Sequence, residues 1–112
     1  MTSPRIGAEP TPRSAKLFVF ARFHAHPGGE VELEQALREV RTPTRAEPGC
    51  IEHNVYRSTR DPRLFWVHSR WRDEASFENH GQLDHTLRFV ARVESLIDHP
   101  LEVSRSEALG EP

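Results

Sequence analysis

At 112 residues the chain is the size of one domain, with an apolar fraction of 36% against the roughly 45–50% of a typical globular protein. Fifteen basic and seventeen acidic residues are interspersed, giving a net charge of -2 and no basic stripe of the kind that tracks a phosphate backbone, so nucleic acid is excluded as a partner. The single cysteine, Cys50, rules out an intramolecular disulfide, and no apolar run of about 18 residues is present to span a bilayer; the expectation is a soluble, cytoplasmic protein.

Residues 1–15 carry three prolines and scattered apolar side chains, the pattern of a disordered tail, which leaves 16–109 as one folded domain. Residues 16–25 (KLFVFARFHA) are rich in Phe and Val and stop at Pro27-Gly28-Gly29, as a strand followed by a turn does. Over 29–47, Leu33, Ala36, Leu37 and Val40 recur at helical spacing, and Pro43 is expected to bend or shorten the last turns. Glu47-Pro48-Gly49 marks a break before a strand over 50–59, in which Ile51, His53 and Val55 share one side. Arg60-Asp61-Pro62-Arg63 reads as a hairpin connection to a partner strand over 64–72. Asp73 is placed to cap a helix whose Phe77 turns inward. A second helical stretch from Leu83 to Ile97 carries Leu87, Val90, Val93 and Leu96, and a polar strand over 101–107 follows.

Strand, helix, strand, strand, helix, strand is the α+β order of a ferredoxin-like split βαβ sheet with its helices on one face. With Val19, Ala21, Phe23, Ile51, Val55 and Val67 toward the helices, the strands turn Phe18, Phe20, Tyr56, Trp66 and His68 the other way. That second face has too much aromatic surface for water and too many polar groups for a monomer core, so a homodimer is expected to cover it.

The segments ARFHAHPG, PTRAEPGCIEHNVYRS and RWRDEASFENH, in this order and spacing, resemble the antibiotic biosynthesis monooxygenase family. These are dimeric α+β barrel proteins that include small quinol monooxygenases, and the resemblance spans residues 16–107. It implies a monooxygenase working without metal, flavin or other cofactor on a small aromatic or quinol-like ligand. Such chemistry asks for an apolar pocket, a group to take a phenolic proton and exclusion of bulk water.

Trp71, where the family usually has an aromatic, is a candidate stacking surface for the substrate and shares the helix-facing side with Val67 and Ser69. Family members of the polyketide type carry an asparagine at the position of Val67. His80 and His85 flank the loop ENHGQLDH and are the candidate catalytic bases, with His53 a pocket residue on the second strand. Arg92 is a candidate for steadying an anionic oxygen. Ala21 and His80 stand where the haem-degrading branch has asparagine and tryptophan, which argues against haem as substrate. No metal site is expected: His24 and His26 have no nearby Cys, Asp or Glu to complete a ligand set, and Cys50 reads as a small buried hydrophobe. Two alternatives stay open, an isomerase of a phosphorylated signalling sugar and a non-catalytic small-molecule binding module of the same fold.

Overall fold

Val19, Ala21 and Phe23 alternate with Phe18, Phe20 and Arg22, which makes a strand with one dry side. In the computed structural model, which describes residues 15–110, that strand is β1 (Leu17–His24). It is followed by α1 (Glu30–Arg45), β2 (Cys50–Arg57), β3 (Leu64–Trp71), α2 (Glu74–His80), α3 (Asp84–Glu94) and β4 (Glu102–Ser106). The tail expected over 1–15 lies almost wholly outside the described residues.

The strands form one antiparallel sheet in the order β2-β3-β1-β4. The helices cover the face that presents Val19, Ala21, Phe23, Phe65 and Val67, each no more than 8% exposed. Leu33 and Leu37 of α1 are fully buried, and each such leucine contributes about 1.5–3 kcal/mol through removal from water.

Local chemistry fixes the connections. Gly28 takes φ of 90°, a backbone region that costs side-chain-bearing residues energy, and delivers the chain to α1. The hairpin is closed by Ser58, whose hydroxyl accepts from the Arg60 and Asp61 amides, and by Asp61, which accepts from the Arg63 amide. Asp73 caps α2 as its sequence position predicts, accepting from the Ser76 amide at 2.8 Å. A Cβ on Gly49 would fall on the Ser76 side chain, so only glycine lets the start of β2 pass this cap.

α1 ends at Arg45, just past Pro43, and the Arg45 guanidinium ties the helix end to β2 through the His53 carbonyl and the Asn54 side chain. The structure departs from two local expectations. Ile51 does not join the helix-facing side: a register shift between Cys50 and Glu52 turns it outward to 41% exposure. Leu87 is likewise outside at 55% exposure, because α3 packs through Phe89 and Val93 instead.

The opposite face of the sheet stays open in the single chain. Phe20, Tyr56 and Trp66 are 45%, 52% and 40% exposed on it, with Arg22 over the Trp66 ring and His68 against Phe20.

Candidate functional site

Between the covered sheet face and the helices lies a cavity of about 200 Å³. Its floor is Val19, Ala21, His53, Val67, Ser69 and Val103, and its roof includes Val40, Thr44, Phe77, His80, Thr86 and Phe89. This is smaller than the roughly 300–1,000 Å³ of drug-sized ligand sites and matches a single-ring molecule.

Few polar groups interrupt the apolar walls. Thr44 is fully buried and His53 is 6% exposed, and Thr44 Oγ1 and His53 Nδ1 have no hydrogen-bond partner. Buried polar atoms are rarely left so. Burial holds His53 well below the ordinary histidine range, at about 4, helped by His80, Arg45 and Arg41, so its imidazole is neutral at pH 7.

His80 closes the α2 end of the cavity. Its Nδ1 lies 2.7 Å from Glu47 Oε2, and His85 Nε2 lies 2.7 Å from the same oxygen. An ionised carboxylate only accepts, so both imidazoles donate to it. In the neutral form of His80 this places the proton on Nδ1 and leaves Nε2 as the acceptor. Thr86 Oγ1 stands 3.2 Å from His80 Nδ1. The Glu47 side chain is 7% exposed, and among the described residues its ion partners are these two histidines.

Several expected site residues stand where the sequence reading put them and others do not. His53, Val67 and Ser69 line the cavity, as does His80. His85 reaches the site through Glu47 and through its ring, 6.0 Å from that of His80, and otherwise borders the outer cleft between α1 and α3. Trp71 is fully buried behind the wall, donating its indole N–H to Ser69 Oγ and covered by the Phe77 and His80 rings at 5.6 and 4.7 Å. It is therefore not placed for the stacking contact expected of it. Arg92 faces outward, bonded to Glu39 at 3.0 Å, and is not among the residues lining the cavity. Burial pushes the Cys50 thiol up to about 11, the behaviour of an inert, half-buried thiol.

Glu47 was missed because it reads as part of a turn. One signal was present: a carboxylate just past a helix C-terminus faces the negative end of the helix dipole, an unfavourable place without cationic or hydrogen-bonding partners. A second cluster was also invisible, since the carboxylates that His24 appeared to lack come from far along the chain. Its Nδ1 meets Asp98 and its Nε2 meets Asp61, 74 and 37 residues away, whereas His26 bonds the Pro27 and Ser95 carbonyls.

A split βαβ sheet with a small, mostly apolar cavity under its helices and a carboxylate-held histidine in the wall defines a ferredoxin-like small-molecule protein. The chain belongs to the antibiotic biosynthesis monooxygenase family, whose model matches residues 17–92. It is 33% identical over 86 residues, 77% of this chain and 84% of the relative, to a Mycobacterium tuberculosis protein named "Putative monooxygenase Rv0793". It is 31% identical over 64 residues, 57% of this chain and 67% of the relative, to Bacillus subtilis "Putative monooxygenase YcnE". The solved structure of Rv0793 superposes with a TM-score of 0.82 at 30% identity, covering 87% of this chain and 98% of that one. Pseudomonas aeruginosa PA3566 superposes with a TM-score of 0.81 at 32% identity, covering 89% and 100%. Among the described residues no helix is long and apolar enough to cross a membrane.

Proposed function

We propose that the chain is a cofactor-independent monooxygenase of a single-ring phenol or hydroquinone. The observation that carries this reading is His80, its Nδ1 held by Glu47, in the wall of an apolar cavity of about 200 Å³.

In this reading the substrate ring packs against Val67, Phe77 and Phe89. His80 Nε2 takes a phenolic proton, and the Glu47 carboxylate stabilises the imidazolium that forms. The anion passes an electron to O₂, and the two radicals join at a ring carbon. Breakdown of the resulting hydroperoxide gives a hydroxyquinone and water. Hydroquinone plus O₂ supplies every atom and electron of those products, so no external reductant enters. The apolar walls keep bulk water from the anion.

The working unit is a homodimer whose partner covers Phe20, Tyr56 and Trp66, in keeping with the exposed aromatic face. A phosphorylated sugar fits less well, because no lysine or arginine lines the cavity.

The test is oxygen-electrode measurement with a panel of substituted hydroquinones. Uptake above the buffer rate, with a hydroxyquinone as product and abolished in His80→Ala, is the expected result. No uptake across the panel, or full activity in His80→Ala, would overturn the reading; a ligand that raises the melting temperature without turnover would point to a binding module instead.

A further inference from the structure

We propose that Glu47, His80 and His85 form a binding site for a divalent transition-metal ion of the Zn²⁺ or Fe²⁺ class. The three residues come from the α1–β2 connection, the end of α2 and the first turn of α3, and no metal site is expected from their positions in the chain. Their ligand atoms nevertheless all lie within 4.8 Å of one another, with both imidazole nitrogens 2.7 Å from the same Glu47 oxygen.

Three features favour a metal. Two imidazoles and one carboxylate are a donor set that both Zn²⁺ and non-haem Fe²⁺ accept. The carboxylate is 7% exposed and sits past the C-terminus of α1, so it is desolvated and faces the negative end of the helix dipole. A divalent cation relieves both costs. Third, Thr86 Oγ1, 3.2 Å from His80 Nδ1, puts a neutral oxygen beside the cluster.

The other convergent group, His24, Asp98 and His99, lacks this logic. Both nitrogens of His24 are already engaged by carboxylates, Asp98 and Asp61, the arrangement of an imidazolium with no lone pair to offer.

Metal occupancy bears on the cavity through His80, which the two sites share. A metal on Nδ1 moves the ring proton to Nε2, so the group facing the ligand changes from acceptor to donor. A metal-loaded His80 therefore cannot serve as the base proposed above, and Zn²⁺ acts as an inhibitor of that chemistry.

The experiment is calorimetric titration of chelator-stripped full-length chain with ZnCl₂, in the absence of any organic substrate. One Zn²⁺ per chain is expected, with affinity reduced in Glu47→Gln and in His85→Ala by at least the roughly 10–100-fold that loss of even an outer-shell partner costs. His99→Ala is expected to bind as the unaltered chain does. Imidazole NMR of the unaltered chain gives an independent readout: Zn²⁺ should shift two of its seven histidines. No zinc uptake, undiminished affinity in both Glu47→Gln and His85→Ala, or loss of binding in His99→Ala would overturn the site. Because zinc is measured directly, failure of the oxygenase reading leaves this result standing, and the reverse also holds. Where O₂ uptake is present, added Zn²⁺ lowers it in the unaltered chain, and unchanged uptake at saturating Zn²⁺ would overturn the exclusion between metal and base.

Discussion

Trp71 donates its indole N–H to the hydroxyl of Ser69 at 2.9 Å, two residues back on the same face of β3. That bond turns a large aromatic away from the cavity and fixes the serine at its floor, 4% exposed. Replacing Trp71 with Phe keeps an aromatic body but removes the donor. The loss is expected to cost about 1–3 kcal/mol, the usual penalty of a buried polar group deprived of its partner. Urea denaturation measures it; an unchanged midpoint would mean that the bond has no net value.

Glu47→Gln preserves size and keeps an oxygen for His80, but it removes the charge opposite the imidazolium. The turnover rate with hydroquinone is expected to fall by about 100-fold, within the range ascribed to general acid–base catalysis, while KM changes by only a few-fold. A proportional rise in KM at constant turnover would assign Glu47 to substrate binding instead.

Two histidines give stability opposite pH slopes. His53 is held at about 4 in the fold against 6.5 when unfolded, so its contribution is present above pH 6.5 and is lost as pH falls toward 4. A drop from 6.5 to about 4, at about 1.4 kcal/mol per pH unit, is worth about 3 kcal/mol. Hydrogen bonds to Asp98, then to Asp61, raise His24, whose contribution is present below pH 6.5 and fades as pH climbs through its folded value. His99 stands edge-on 5.4 Å away from His24 in the same cluster. Stability is therefore expected to peak near pH 6.5, with His53→Leu flattening the acid side and His24→Gln the alkaline side in denaturation series across pH.

On the open face, Trp66 stands opposite Arg22 on one side and Tyr56 on the other, and Phe20 stands opposite His68. Charge placed in the middle of such a patch opposes association far more than it disturbs the fold. Phe20→Glu is expected to sediment as a monomer at micromolar concentration where the unaltered chain sediments as a dimer, with its circular dichroism unchanged. A monomeric unaltered chain would sink the dimer.

Local pattern alone determined the faces of β1, β3 and α1. Alternation on β1 and β3 and the Leu33, Ala36, Leu37 and Val40 stripe each follow the period of a single pleat or a single helical turn, and so they are readable residue by residue. Asp73 declared its cap for the same reason, its partner being the amide three residues on. The tertiary structure decided what depends on distant segments meeting. It turned Ile51 out at a bulge, exposed Leu87 where α3 packs through Phe89, and paired Arg92 with Glu39 of α1. Above all it carried Glu47 to His80 and His85, 33 and 38 residues away, because only the packed sheet and helices bring those three backbones together.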